Sequence, residues 1–177
     1  MYPRSEERMN IFVLDKDPTV AATMHCDKHV VKMILESAQM ICTTHHLCPN
    51  TNESYVIPYK MTHKNHPCNK WVRDSIDNYQ WLVQLTTALN NEYRYRYNKN
   101  VNHKSYDAIA TLPLPNLPKS GLTVWARAMA DEYKIGDRTY DNVIQSYHNY
   151  YSKGKTHILS YTNRVRPTFL NRNTAKV

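Results

Sequence analysis

Apolar residues recur three and four positions apart in three stretches of the chain, the spacing at which side chains share one face of an α-helix. The stretches run from residue 19 or 20 to about 44, from 65 to about 97, and from about 137 to 157. Their apolar positions are Val31, Ile34, Leu35, Ala38, Ile41 and Cys42, then Trp71, Leu82, Leu85 and Leu89, then Tyr140, Ile144, Tyr147 and Tyr151. We therefore expect two long helices followed by a shorter one.

Proline and asparagine residues mark where these helices begin and where the chain leaves them. Asp17-Pro18-Thr19 is typical of a helix start, and so is Asn65-His66-Pro67, because asparagine caps helices well and proline is tolerated in the first turn. Residues 45–59 are predicted to form a loop. Three prolines between residues 98 and 121 exclude a long helix from that connection, and a short helix over residues 123–129 is expected to follow it.

Signals for β-strands are almost absent, apart from the short apolar run over residues 9–14. The sequence therefore predicts a mainly α protein, a single compact helical domain with two long central helices and a Pro-rich connection. The predicted boundaries are a flexible leader over residues 1–8, the domain over residues 9–170 and a flexible tail over residues 171–177.

Titratable residues line the polar side of the first predicted helix. His25, His29, Lys32 and Glu36 follow one another at steps of four, three and four, which places them on one helix face. Imidazole and carboxyl groups together are a candidate acid/base centre, so these four are the predicted catalytic residues. The alternative is an ordinary solvated helix face. In that case Asp27, which projects near the apolar side, only holds helices together through a partner on another segment.

The overall charge favours a polyanionic partner. The chain has 23 Lys and Arg against 15 Asp and Glu, a formal charge of +8, and a pI near 9.3. Nucleic acid, DNA in particular, or a nucleotide is therefore the expected partner, with plain solubility as the alternative. Residues 93–97 alternate tyrosine with arginine, which suits stacking on bases and binding of phosphates, although tyrosines that cover a core would give the same pattern.

Further polar residues on the predicted helices are candidates for contacts or for structure. Arg73 is expected either to pair with Asp27 or to bind a phosphate. The candidate nucleic-acid-binding residues are His66, Lys70, Arg73, Arg94, Arg96 and Lys104. The candidate structural polar residues are Asp27, Asn65 and Asn78.

Apolar runs, cysteines and possible metal ligands indicate where the protein is located and whether it holds a cofactor. No apolar run is long enough for a membrane span, and no leader resembles a signal peptide, so an intracellular protein is expected. The four cysteines lack paired C-x-x-C spacing and are expected to be reduced. Zinc ligands from Cys26 and His29, or from His63, His66 and Cys68, match no common site, so no metal and no cofactor is expected. The sequence leaves the oligomeric state open.

Four segments resemble a group of small proteins encoded by phages and large DNA viruses. They are MNIFVLD at residues 9–15, HCDKHVVKM at 25–33, HKNHPC at 63–68 and DEYK at 131–134. In addition, Asp27-Lys28-His29 followed by Glu36 is similar to the D-x-H and downstream Glu of the pyrimidine-dimer DNA glycosylases of the endonuclease V type. This resemblance implies a compact, basic, helical fold that presents the motif helix to a distorted DNA site, in the cytoplasm of an infected host cell.

The same resemblance implies roles for individual residues. Glu36 would be the catalytic carboxylate and His29 the imidazole near the substrate. In that family the N-terminal amine attacks the sugar C1′ and forms an imine. Here Met1 precedes Tyr2, and the matching segment begins only at Met9. Either translation starts near Met9, or the protein lacks this lyase step, or Lys32 forms the imine after its pKa is lowered.

An enzyme that cleaves an N-glycosidic bond in DNA or in a nucleotide is therefore the leading hypothesis. An ionised Glu36 would stabilise positive charge on the sugar, and Lys32 beside it is expected to keep it ionised. His29 or His66 would protonate the departing base or hold a phosphate. One alternative is a non-catalytic protein that binds nucleic acid or a nucleotide. The other is a metal-dependent nuclease that uses His25, His29, His63 or His66.

Overall fold

The computed structural model describes residues 9–173, with side chains described to residue 171. The helices are α1 (Pro18–Met24), α2 (Asp27–Leu47), α3 (Pro67–Asp74), α4 (Ile76–Arg96), α5 (Lys104–Ile109) and α6 (Tyr140–Gly154). Short 3-10 helices cover Asp131–Tyr133, Thr156–Ile158 and Thr168–Asn173. Residues 9–173 contain no strand. The prediction of a mainly α fold with two long helices is confirmed, and these are α2 and α4.

The predicted terminal segments fall largely outside the described residues. The leader over residues 1–8 lies outside them entirely, and so do residues 174–177 of the predicted tail. Residues 171–173 of that tail instead end the last 3-10 helix. The buried apolar side chains of the described part form one cluster, to which α2 and α4, the most extensively packed pair of helices, contribute most.

The first predicted helix is divided, and this corrects the placement of His25. α1 begins as predicted, with Pro18 in its first turn and the Asp17 carboxylate accepting from the Thr19 amide. It ends at Met24, because His25 and Cys26 are both extended. The carbonyls of Thr23 and His25 accept hydrogen bonds from the Arg96 guanidinium instead of continuing the helix. His25 therefore does not share a helix with the other members of the predicted stripe.

The second predicted helix is also divided, at Ser75. This residue is extended, and its hydroxyl accepts from the Asn78 amide at 3.1 Å and so caps α4. α3 is capped by the His66 ring, which accepts from the Cys68 amide, and not by Asn65 as predicted. At Ser75, a polar side chain that caps α4 therefore separates it from α3.

The second half of the chain departs further from the prediction. The helix predicted over residues 123–129 is absent, because the Thr123 carbonyl accepts from the Trp71 indole and its amide donates to the Asn78 side chain. Backbone groups used in this way are not available to a helix. The Pro-rich connection contains α5, which was not predicted, whereas α6 occupies most of the predicted last helix.

A buried segment without regular structure, residues 9–14, positions the candidate site. Met9, Phe12, Val13 and Leu14 are buried in the core. α6 holds the two ends of the segment: Tyr147 donates to the Asn10 side chain, and the His148 ring lies 2.6 Å from the Leu14 carbonyl. The segment thereby brings its backbone against α2.

Candidate active site

Glu36 lies on α2 and is 6% exposed. One carboxyl oxygen, Oε1, accepts a hydrogen bond from the Asn10 amide at 3.1 Å. The other, Oε2, is buried without a hydrogen-bond partner among the described residues. Burial raises the pKa of this carboxyl from 4.5 to about 7, because removal from water penalises the charged form. Glu36 can therefore both hold and release a proton near neutral pH.

Lys32 lies one turn before Glu36, as predicted. Its Nζ is 3.9 Å from Glu36 Oε2, and its side chain is 56% exposed. The positive charge lowers the pKa of Glu36, but by less than burial raises it. The expectation that Lys32 keeps Glu36 ionised is therefore corrected, since the carboxyl is partly protonated at neutral pH.

His29 faces the same region from the first turns of α2. Its ring is 3% exposed and stacks on Phe12, with 4.3 Å between ring centroids. Its Nδ1 lies 2.6 Å from the Tyr151 hydroxyl. Burial, together with nearby positive groups, lowers the pKa of His29 from 6.5 to about 2. His29 is therefore neutral in the folded protein, and it acts as a hydrogen-bonding group and not as an imidazolium acid.

His25 does not join this face. Its ring is fully buried, with Nδ1 2.7 Å from the Ala21 carbonyl and Nε2 without a partner among the described residues. Burial lowers the pKa of His25 to about 4, and the ring packs edge-on against Phe12. The predicted catalytic role of His25 therefore loses its geometric basis.

Asn10 is a site residue that the sequence reasoning missed. Its amide donates to Glu36, and its side-chain oxygen accepts from the Tyr147 hydroxyl at 2.7 Å. Its side-chain nitrogen donates to the Ala128 carbonyl at 2.8 Å. These contacts fix the backbone nitrogen of Asn10 against the carboxyl.

One face of α6 forms the opposite wall of the site. Tyr147, Tyr151 and Lys155, which follow one another at steps of four, reach Asn10, His29 and the surroundings of Glu36 in turn. The Lys155 ammonium lies 4.9 Å from the centre of the Tyr150 ring, and its charge lowers the pKa of both Glu36 and His29. The tyrosine spacing on this helix was interpreted only as a core face, so the wall was missed.

Arg96 was predicted to bind nucleic acid, and the structure buries it instead. Its guanidinium donates to Glu92 at 2.7 Å and to Asp27 at 3.2 Å, and the residue is 4% exposed. Asp27 also accepts from the amide and hydroxyl of Thr162. The partner of Asp27 is therefore Arg96, not Arg73. The prediction that Arg96 contacts nucleic acid is therefore wrong, because no donor of its guanidinium faces solvent.

The other predicted contact residues lie mostly at the surface. Lys70, Arg94 and Lys104 are exposed, while His66 and Arg73 are half-buried. Arg94 makes only long hydrogen bonds, of 3.4 Å, to the turn that follows α4. Nη1 of Arg73 is buried without a hydrogen-bond partner among the described residues.

The two remaining structural candidates differ. Asn78 is fully buried and joins α3, α4 and the segment at Thr123 through three side-chain hydrogen bonds. Asn65 is exposed and does not cap α3. The structure thus places Asn78, but not Asn65, in a structural position.

Within residues 9–173, no three His, Cys, Asp or Glu side chains are grouped so that they could hold a metal ion. No helix in this range has the length and apolar character needed to cross a membrane. The four cysteines are free thiols.

Two cavities lie away from Glu36. One, of about 370 Å³, is lined by α4, α5 and Ile41; the other, of about 440 Å³, lies between residues 50–52 and the Pro-rich connection. Neither is lined by Glu36 or His29.

The fold and site define a class of protein: a basic helical protein whose buried carboxyl lies beside a neutral imidazole and lysines, as suits chemistry on an anionic substrate. The sequence model of the pyrimidine dimer DNA glycosylase family matches residues 9–105, more than half of the chain, so the chain belongs to this family. No curated protein and no solved structure matches it. The resemblance seen at Asp27-Lys28-His29 and Glu36 is thus confirmed, while the wall formed by α6 lies beyond the matched residues.

Proposed function

We propose that this protein is a DNA glycosylase that cleaves an N-glycosidic bond at a pyrimidine dimer, with Glu36 as its catalytic carboxyl. The observation that carries the proposal is the incomplete pairing of Glu36: the Asn10 amide donates to one oxygen, and the other has, among the described residues, no hydrogen bond and only a long ion pair with Lys32. Leaving a buried carboxyl oxygen without a hydrogen bond costs stability, and such groups are concentrated at functional sites, so in a chain of a DNA glycosylase family this oxygen points to chemistry.

Glu36 acts on charge that develops in the sugar. Breaking the bond between C1′ and the base nitrogen builds positive charge on the sugar ring, which an ionised carboxylate stabilises. Because the pKa of Glu36 is near 7, a substantial fraction is ionised at neutral pH. The unpartnered Oε2 is free to face the reacting carbon or the incoming nucleophile.

The neighbouring groups bind and orient the substrate. His29, which is neutral, donates or accepts a hydrogen bond, and Lys32 and Lys155 attract the phosphates that flank the lesion. At the surface, His66, Lys70, Arg73, Arg94 and Lys104 extend the contacts along the DNA backbone. The unpartnered Nη1 of Arg73 supports a phosphate contact for that residue.

The amine step depends on how the chain is processed. The nitrogen that lies against Glu36 belongs to Asn10 and is a peptide amide, which is not nucleophilic. A chain that began at Asn10 would carry a primary amine at this position. We therefore propose that a chain in which Asn10 is internal cleaves the N-glycosidic bond without cutting the strand, and that imine formation requires a chain that begins at residue 10. Lys32 is exposed, so it lacks the burial that would activate it as the amine.

The proposal is tested on duplex DNA with a single cyclobutane pyrimidine dimer. Wild-type protein should cleave one N-glycosidic bond of the dimer and leave an alkali-labile abasic sugar, with the detached pyrimidine still joined to its neighbour through the cyclobutane ring. Glu36→Gln should reduce the rate by about 100-fold or more. Glu132→Gln, at an exposed glutamate, is the matched control and should keep full activity. Full turnover by Glu36→Gln would show that Glu36 is not the catalytic carboxyl. Absence of turnover by wild-type protein would show that the protein is not a glycosylase for this substrate.

The second candidate is a non-catalytic protein that binds nucleic acid or a nucleotide, which the net charge of +8 favours. Tight, strongly salt-dependent binding without base release, unchanged in Glu36→Gln and His29→Ala, would support it.

A metal-dependent nuclease would instead lose activity with a chelator. The likeness to proteins of phages and large DNA viruses supports an origin in a virus and a place of action in the cytoplasm of the infected cell.

A further inference from the structure

The hydroxyl of Tyr151 lies at the centre of a small buried cluster. Tyr151 is fully buried on α6, and its oxygen is 2.6 Å from His29 Nδ1. The same oxygen is 3.4 Å from the Cys26 amide nitrogen and 3.7 Å from Cys26 Sγ. Tyr151 thus meets both the junction of α1 with α2 and the imidazole beside Glu36.

The donors and acceptors in this cluster settle where the hydroxyl proton points. The Cys26 amide can only donate, so the Tyr151 oxygen accepts from it. The hydroxyl proton then has two acceptors within hydrogen-bond distance, Cys26 Sγ at 3.7 Å and His29 Nδ1 at 2.6 Å, and we assign it to His29 because that contact is more than 1 Å shorter. Burial raises the pKa of Tyr151 well above 10, so the hydroxyl stays protonated. His29 Nδ1 therefore accepts, which leaves the ring proton on Nε2.

His25 provides an internal contrast. Its Nδ1 faces the Ala21 carbonyl, which can only accept, so His25 carries its proton on Nδ1. The two histidines contact the same Phe12 ring and are expected to be neutral in opposite tautomers. The choice of tautomer at His29 therefore comes from Tyr151 and not from a shared environment.

We propose that Tyr151 is a positioning residue that holds neutral His29 in its Nε2–H tautomer, so that the imidazole donates a hydrogen bond to the substrate beside Glu36. No described residue accepts from His29 Nε2, which leaves this donor for a substrate oxygen. The tautomer itself follows from the hydrogen bonds, whereas its use on substrate rests on the proposed function. Tyr151 would then be a functional residue outside the part of the chain that the family's sequence model matches.

The tautomer is measured directly by NMR on protein labelled with ¹⁵N at histidine. In wild-type protein the His29 ring should show a protonated Nε2 and an unprotonated Nδ1, and His25 should show the reverse. Tyr151→Phe should move the two His29 nitrogen shifts toward each other as the tautomers mix. Tyr161→Phe is the matched control, because it removes a hydroxyl that donates to the Met24 carbonyl at 2.8 Å without touching His29.

Activity is the second measurement. On dimer-containing DNA, Tyr151→Phe should lower kcat about tenfold with little change in KM, which is the size of one lost hydrogen bond, and Tyr161→Phe should not. A wild-type His29 protonated at Nδ1, or unchanged shifts in Tyr151→Phe, would overturn the proposal. So would full kcat in a Tyr151→Phe protein whose His29 shifts have moved. If wild-type protein has no turnover, the proposed function fails, while the NMR result still decides the tautomer.

Discussion

Two buried glutamates in this protein have almost the same exposure and very different surroundings. Glu92 on α4 is 4% exposed, and Glu36 on α2 is 6% exposed. Both oxygens of Glu92 accept short hydrogen bonds from the guanidinium groups of Arg96 and Arg164, at 2.6 to 3.1 Å. Glu36 has one amide on one oxygen and no hydrogen bond on the other.

The difference separates a structural carboxylate, Glu92, from the carboxyl that we propose to be catalytic, Glu36. Around Glu92, Arg96 also binds Asp27 and two carbonyls at the junction of α1 with α2, so every charge has a partner. Such a cluster specifies how three helices and the segment near residue 164 meet. Around Glu36 the pairing is incomplete, and the missing partner is what a substrate can supply. Burial alone therefore does not identify a catalytic carboxyl.

The largest expected effect is on the paired side of this comparison. Arg96→Met should destabilise the fold by about 3–5 kcal/mol, because it leaves buried Glu92 and Asp27 without their shared guanidinium. Urea denaturation monitored by circular dichroism measures this loss. Arg94→Met, at an exposed arginine on the same helix, is the control and should change stability by less than about 0.5 kcal/mol. Equal effects of the two variants would show that the Arg96 cluster is not structural.

The second prediction concerns His25, the neutral histidine buried at the junction of α1 with α2. The folded pKa of His25 is about 4 against an ordinary 6.5, so the unfolded chain binds this proton first as the pH falls. The resulting stability is complete above pH 6.5 and is lost between pH 6.5 and 4. His25→Asn should therefore flatten the loss of stability over this range by about 3 kcal/mol. Thermal unfolding across the pH range tests it, and an unchanged slope would place His25 in contact with water.

Glu36 should show the opposite dependence on pH. Its folded pKa of about 7 lies above the ordinary 4.5, so ionisation of the unfolded chain weakens the fold progressively as the pH rises from 4.5 to 7. Glu36→Gln should remove this cost and stabilise the protein by about 3 kcal/mol above pH 7, with no gain below pH 4.5. Differential scanning calorimetry at the two ends of the range measures the gain. A loss of stability at high pH would mean that Glu36 is as well paired as Glu92.

The smallest expected effect belongs to Lys32. Its ion pair with Glu36 is long and exposed, so Lys32→Met should change stability by less than about 0.5 kcal/mol. It should raise the apparent pKa of Glu36 in the pH–rate profile, because one attractive charge is gone. It should also lower the salt dependence of DNA binding by about one counterion. Lys119→Met, on the Pro-rich connection, is the control for these measurements. An identical response in the two variants would show that Lys32 has no specific effect on Glu36 or on DNA binding.

Periodicity predicted the helical class and the approximate positions of α2, α4 and α6, because burial of an apolar face depends on spacing alone. It did not predict the breaks at His25 and Ser75. The break at His25 is set by Arg96, which is distant in sequence. The break at Ser75 is set by a helix cap, and in the sequence a capping serine cannot be told from a polar residue inside a helix. At Thr123, tertiary hydrogen bonds from Trp71 and Asn78 replaced the predicted helix.

The site was predicted in part for the same reason. His29, Lys32 and Glu36 lie on one helix, so their spacing brought them together in the sequence. Asn10 and Tyr151 reach them from elements that are 26 and 122 residues away. The burial that sets the pKa of Glu36 comes from such distant elements, and no local pattern encodes it.

Helix α6 bears on how this protein could be divided. A fragment that stopped at residue 105 would contain the whole stretch matched by the family's sequence model, yet it would lack the two tyrosine hydroxyls that hold Asn10 and His29. Motif and scaffold are thus encoded in separate halves of the polypeptide. Any split-protein reporter or minimal variant built from this chain must keep both halves, joined or co-expressed.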